Sequence, residues 1–206
     1  MDEIPTAPLL RTVLEQSGRL LARRQDGRLA DRAGQLYFDF ATYHEQVIAQ
    51  PEPTTWTVEE WFELGYREEE AGRLNEAVTA YQHALLTGGP NADVCYNLAT
   101  VLSLLGRRGQ AAERFRQAVE IDPRYAEAWN GLGVMLEELG QLEESLVTYR
   151  AALQLRPGYA DAHYNLADLL DAMGRQSEAR PHWHAYLSQD AKSMWAEYAK
   201  QRVFGT

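Results

Sequence analysis

Residues 126–140 read Ala126-Glu127-Ala128-Trp129-Asn130-Gly131-Leu132-Gly133-Val134-Met135-Leu136-Glu137-Glu138-Leu139-Gly140. Trp129, Leu132, Gly133 and Leu136 stand at i, i+3, i+4 and i+7, one face of an α-helix. Gly140 then offers the left-handed backbone at which such a helix stops. The arrangement recurs in steps of 34 residues. Gly140 is matched by Gly72, Gly106 and Gly174, and Leu132 by Leu64, Leu98 and Leu166. Gly133 is matched by Gly65, Ala99 and Ala167. Further on, Ser145 aligns with Ala77, Ala111 and Ala179, and Tyr149 with Tyr81, Phe115 and Trp183. Registers repeating without insertion define units at 58–91, 92–125, 126–159 and 160–193, and offsets below count from the first residue of each unit.

Each unit predicts two helices. The first carries its apolar face at offsets 4, 7, 8 and 11 and ends at the offset-15 glycine. The second places a small residue, an aromatic and a small residue at offsets 20, 24 and 27, as in Ser145, Tyr149 and Ala152. Pro123 and Pro157, at offset 32, stop it. Small residues let the helices approach closely and the aromatic fills the gap between them. A hairpin this short cannot bury its apolar face alone, so the units are expected to stack as a solenoid.

This pattern resembles the tetratricopeptide repeat family, whose W-x2-L-G-x2-Y, A-x3-F and P signature is matched by Trp129 to Leu136, by Ala111 to Phe115 and by Pro123. The resemblance implies an all-α, right-handed superhelical solenoid of four helix-turn-helix repeats. It also implies that the first helices line a concave ligand face and the second helices a convex one. Departures fall at Glu68, Cys95, His163 and Tyr186. Glu68 suits a terminal repeat, and Cys95 and His163 take the core register of Trp61 and Trp129.

The ends differ in kind. Residues 194–206 are expected to form a capping helix with Met194, Trp195, Tyr198 and Val203 as its apolar stripe. Residues 1–57 form a separate N-terminal element. Pro8 to Gln16 reads as a short helix, and Leu20 to Arg24 and Arg28 to Ala30 as a β-hairpin around Asp26-Gly27. Gln35 to Phe40 reads as a third strand, Thr42 to Ala49 as a helix, and Gln50 to Pro53 as a linker. The stretch from Ala33 to Phe40 also resembles one found in bacterial proteins that join a MerR-type helix-turn-helix to tetratricopeptide repeats. No helix-turn-helix is visible upstream, so that kinship would make the chain the partner-sensing portion of a transcription regulator lacking its DNA-binding domain.

Composition excludes several function classes. The 206 residues carry 20 Lys+Arg against 30 Asp+Glu, a formal net charge of −10, whereas a nucleic-acid binder needs a basic footprint. The same balance disfavours an anionic membrane surface. The single cysteine allows no internal disulfide. With an acidic start and no long apolar stretch, a cytoplasmic location is expected.

Chemistry-bearing motifs are missing too. There is no phosphate-cradling glycine loop, no Cys-x-x-Cys, no H-E-x-x-H and no nucleophile elbow. His182 and His184 point about 200° apart on a helix, so they do not chelate one ion. Neither an enzyme, nor a metal, nor a cofactor is expected.

Charge divides by helix. The first helices of the units hold 13 acids and one base, Arg67, whereas the second helices and their turns hold 8 acids and 11 bases. On the first helices, offsets 2, 5, 9, 12 and 13 face away from the predicted core. The candidate peptide-binding residues are Phe62, Tyr66, Glu69 and Glu70 in the first unit and Tyr96, Asn97 and Thr100 in the second. The third contributes Asn130, Glu137 and Glu138, and the fourth Tyr164, Asn165, Asp168 and Asp171. The offset-2 acids Glu59, Asp93, Glu127 and Asp161 are favoured there by the helix dipole alone. Asn97 and Asn165 match positions where family members grip a peptide backbone with an amide. Offsets 2, 5 and 6 hold no base, which argues against acidic chaperone tails. The sequence thus predicts a non-catalytic adaptor binding a protein or peptide with basic and apolar side chains. Self-association through the ends or the groove is a further expectation.

Overall fold

The computed structural model describes residues 56–205 and, before them, four strands: β1 (Val13–Gln16), β2 (Arg19–Arg23), β3 (Leu29–Ala30) and β4 (Leu36–Tyr37). The strands pair antiparallel in chain order, with Leu14 opposite Leu21, Ala22 opposite Ala30 and Leu29 opposite Tyr37. The short helix expected over Pro8 to Gln16 is corrected at Val13–Gln16, which is strand β1. The tendency of Val13 and Leu14 to pair across a sheet outweighs a weak helical pattern. The Asp26-Gly27 turn, the Thr42 to Ala49 helix and the Gln50 to Pro53 linker lie outside the described residues. The chain divides into units at 1–55 and 56–206.

The second unit is helical: α1 (Val58–Glu70), α2 (Leu74–Gly88), α3 (Ala92–Leu104), α4 (Arg108–Ile121), α5 (Ala126–Glu138), α6 (Leu142–Leu155), α7 (Ala160–Ala172), α8 (Gln176–Gln189) and α9 (Met194–Phe204). Helices pair as α1 with α2, α3 with α4, α5 with α6 and α7 with α8, and each pair packs on the next. The turn within each pair is the same. Gly72, Gly106, Gly140 and Gly174 adopt φ of 73°, 70°, 77° and 75°. The next residue's N–H then reaches back across the turn, as Gln141 N does to Leu136 O at 2.8 Å. This glycine-centred motif satisfies carbonyls that the helix end would leave unpaired.

Burial follows the registers. Tyr81, Tyr149 and Trp183 are at most 1% exposed and Phe115 is 4% exposed, each wedged between the two helices of its pair. Close approach is enforced where the wedge is tyrosine. A Cβ on Gly65 would fall 2.6 Å from Tyr81 Cδ1, and one on Gly133 2.5 Å from Tyr149 Cε1. The same register holds alanine, Ala99 and Ala167, where the wedge is phenylalanine or tryptophan.

A second buried face joins one pair to the next. Val94, Ala128, Ala162 and Ala196 (offset 3) and Val101, Met135, Leu169 and Val203 (offset 10) are buried. In α1 these positions hold Glu60 and Arg67, both exposed. Helix α9 is in register with the first helices, with Ala196, Ala199 and Val203 buried against the preceding pair. This corrects the expected stripe, because Met194 is 76% and Trp195 55% exposed. The face with which the other first helices meet their partners carries Glu197, Lys200, Gln201 and the exposed Phe204 in α9. Ser193 caps the helix, its side chain accepting from Ala196 N at 3.1 Å.

Candidate functional site

The outward face is stitched to the core in α1, α5 and α7. At offset 12, Glu69 accepts from Tyr81 Oη at 3.0 Å and Glu137 from Tyr149 Oη at 2.9 Å. Asp171 accepts from Trp183 Nε1 at 2.8 Å. Where the wedge is Phe115, which has nothing to donate, offset 12 is Ser103. The offset-12 carboxylates therefore have a structural duty that the repeat pattern alone did not disclose. Each satisfies the polar tip of a buried aromatic, a group that would be costly to leave unpaired.

Offset 5 is likewise shared between core and surface. Phe62 packs against Tyr81 with ring centroids 5.6 Å apart, Tyr96 against Phe115 at 5.7 Å and Tyr164 against Trp183 at 5.1 Å. These rings cover the wedge aromatics while staying half-exposed. Tyr164 also has Tyr186, Trp195 and Tyr198 about it. Burial, with Asp168 nearby, pushes its phenol up to about 12. Tyr66 and Glu70 lie exposed at the far end of the face. The neighbouring carboxylates Glu70 and Glu69 raise the Tyr66 phenol.

The amides do not form a free ladder. Asn97 Nδ2 donates to Asp93 O in its own helix at 2.8 Å, and Thr100 Oγ1 to Tyr96 O at 3.1 Å. Asn165 Nδ2 donates to Asn130 Oδ1 at 3.0 Å, which ties α7 to α5. The Asn165 oxygen and the Asn130 N–H2 keep capacity for another partner.

Asn130 replaces the offset-5 aromatic of the third unit. A cavity of about 400 Å³ is lined by Val134, Glu137, Glu138, Tyr149, Asn165 and Asp168. It brings together four of the predicted site residues, Glu137, Glu138, Asn165 and Asp168. Phe62, Tyr66, Glu69, Glu70, Tyr96, Asn97, Thr100, Asn130, Tyr164 and Asp171 are not among its lining residues. Its inner carboxylates are held by neutral donors, Glu137 by Tyr149 and Asp168 by Tyr198 Oη at 2.9 Å. Glu138, at the rim, pairs with Arg108 at 2.6 Å. Burial raises the Glu137 carboxyl, Tyr149's hydrogen bond opposes this, and the charges of Asp168 and Glu138 add to the rise.

Three residues outside the predicted set join this face from α9. Trp195, Tyr198 and Arg202 continue offsets 2, 5 and 9 by the same 34-residue step, a signal present in the sequence. Arg202 stands 3.7 Å from Asp171, donates to Tyr198 Oη at 2.7 Å and lies over the Tyr198 ring.

The two other titratable clusters are structural. Cys95 is buried, and burial pushes its thiol up. Its register keeps it in the core. His163 takes the register in which Trp129 Nε1 donates to Pro123 O at 3.0 Å. Its Nε2 lies 2.9 Å from Pro157 O, and its Nδ1 lies 2.9 Å from His182 Nδ1. Among the described residues, no group of three or more His, Cys, Asp or Glu is placed to hold a metal ion. Among them, too, no helix is long and apolar enough to cross a membrane.

This hairpin geometry is that of a helical repeat array. A protein-family model described as TPR repeat matches residues 104–140 and 135–174, and over that stretch the chain is similar to tetratricopeptide repeats. The solved structures it resembles share the fold. A crystal structure of MamA superposes with a TM-score of 0.64 at 18% identity, covering 75% of this chain and 96% of that one. YrrB, described as a TPR protein with an unusual peptide-binding site, gives 0.65 at 24% identity, covering 78% and 81%. The first TPR of Spaghetti (RPAP3), bound to the HSP90 peptide SRMEEVD, gives 0.56 at 23% identity, covering 57% and 94%. No curated protein sequence matches the chain. The family match does not reach the Ala33 to Phe40 string, so the likeness to MerR-type regulators gains no support.

Proposed function

We propose that the chain is a non-catalytic adaptor, an array of four repeats closed by the half-unit α9, whose α1, α3, α5 and α7 face binds a protein or peptide segment with basic and apolar side chains. The observation that carries this reading is the division of charge. The first helices hold 13 acids and one base, and half-exposed aromatics at offset 5 stand among those acids. Carboxylates attract Lys and Arg, and the ring faces of Phe62, Tyr96 and Tyr164 accept both apolar side chains and cations. Related folds support peptide binding in general, since the descriptions of YrrB and Spaghetti (RPAP3) each name a peptide or a peptide site.

The same charge disfavours an acidic ligand such as the one in the Spaghetti complex. Offsets 2, 5 and 6 hold no Lys or Arg, so a carboxylate-rich tail would meet like charge. The test is an array of basic, neutral and acidic peptides probed with the protein in low-salt buffer. Selective retention of basic peptides supports the reading, and retention of acidic ones overturns it.

A further inference from the structure

The cavity between the third and fourth units has a filled counterpart one step further along the chain. Adding 34 to its lining positions gives Asp168 for Val134, Asp171 for Glu137, Trp183 for Tyr149, Ala199 for Asn165 and Arg202 for Asp168. At that second junction the chain supplies its own cation, with Arg202 Nε 3.7 Å from the nearly buried Asp171 carboxylate. At the first junction the position of Arg202 is taken by Asp168. A base is thus exchanged for an acid and the space is left open.

We propose that the cavity lined by Glu137, Asp168, Asn165 and Val134 seats one arginine or lysine side chain of the bound partner, in the role Arg202 plays at the next junction. The inference rests on the peptide-binding reading of this face and names its anchor point. Among the described residues neither Glu137 nor Asp168 forms an ion pair; tyrosine O–H groups are their hydrogen-bond donors. A guanidinium or ammonium entering between them would place a positive charge between the two carboxylates. The uncommitted Asn165 oxygen offers a further acceptor. Val134 gives the aliphatic stem an apolar wall, as suits a side chain whose charge lies at its tip. A cavity of about 400 Å³ admits a side chain but not a folded element.

The test uses two peptides, Ac-Ser-Gly-Tyr-Arg-Tyr-Gly-Ser-NH2 and the same peptide with citrulline for arginine, titrated calorimetrically into the full chain. Arginine is expected to bind about tenfold more tightly than citrulline, the scale of one charge-assisted contact. In Glu137→Gln/Asp168→Asn, which keeps an acceptor for each tyrosine, that preference is expected to vanish. In Glu143→Gln/Glu144→Gln, exposed acids of α6 outside the candidate face, it is expected to persist. Backbone amide shifts in NMR titration with arginine amide should centre on 134–138 and 165–168. Equal binding of the two peptides, or a preference lost equally in both variants, overturns the proposal. If basic peptides bind but the cavity variant leaves their preference intact, the anchor is wrong and the groove reading stands. If no basic peptide binds, both fall.

Discussion

Tyr149 Oη donates to Glu137 at 2.9 Å from a ring that is 1% exposed, so an acid of the candidate face is also the cap on a core aromatic. This coupling recurs at Tyr81 with Glu69 and Trp183 with Asp171, and is absent where Phe115 faces Ser103. Surface charge and core packing are therefore not independent in this array.

Removing one partner alone should be costly. Glu137→Val strands the Tyr149 hydroxyl and is expected to cost about 1–3 kcal/mol in urea unfolding. Glu137→Ser with Tyr149→Phe recreates the Ser103 and Phe115 arrangement and should cost less than the single change. If the double variant is the less stable of the two, the pairing is not what holds the hydroxyl.

Gly133 tests the close approach of α5 to α6. A Cβ there would stand 2.5 Å from Tyr149 and 2.8 Å from Thr148 Oγ1, so Gly133→Ala should lower stability by about 1–3 kcal/mol despite the better helix propensity of alanine. Gly109, with nothing within 4 Å of its added Cβ, should be stabilised by the same substitution. Thermal unfolding of the two variants checks the contrast.

The His163 and His182 contact makes the last hairpin sensitive to acid. Pro157 O accepts, so His163 Nε2 carries the proton, and His182 Nδ1–H donates to His163 Nδ1. Burial, followed by the charges of His163 and Arg150, lowers the His182 imidazole, with Glu178 opposing. A lowered folded value means that the unfolded chain binds the proton more tightly. The contribution is thus complete above the ordinary imidazole value of about 6.5 and is lost as pH falls through the folded value. His163→Trp, which supplies the N–H that Trp129 uses, should flatten this part of the stability profile between pH 7.5 and 5.5. An unchanged slope would show that the pair does not govern it.

Helix α9 packs on the preceding pair through Ala196, Ala199 and Val203, the first two wholly buried. Ala199→Asp would bury a carboxylate without a partner and is expected to detach α9. The detachment should appear as faster amide exchange over 194–204 and greater exposure of Tyr164. Equal exchange in variant and wild type would show that this contact does not hold α9.

The hairpins were legible because a 34-residue step repeats glycine, leucine and aromatic registers that have one steric role each. The packing of one pair on the next at offsets 3 and 10 was less so, since Val94, Ala128 and Val203 vary in size and α1 carries Glu60 and Arg67 there. The α9 stripe was misread because Met194 and Trp195 are the larger apolar side chains, while alanines make the contact. The candidate face was readable in outline. That Glu137 caps Tyr149 and lines a cavity with Asp168 depends on the distance between helices, which no single-helix periodicity contains.

The most direct test of an acidic, cation-binding face is the affinity of a basic peptide for the wild type and for Glu69→Gln/Glu70→Gln/Glu137→Gln/Glu138→Gln at low and high salt. Micromolar-range binding is expected in the wild type, weakening as the Debye length falls from about 30 Å at 0.01 M to about 8 Å at 0.15 M. The variant should bind more weakly and lose most of the salt dependence. Equal affinity in the two proteins, or tighter binding of an acidic peptide by the wild type, would contradict it.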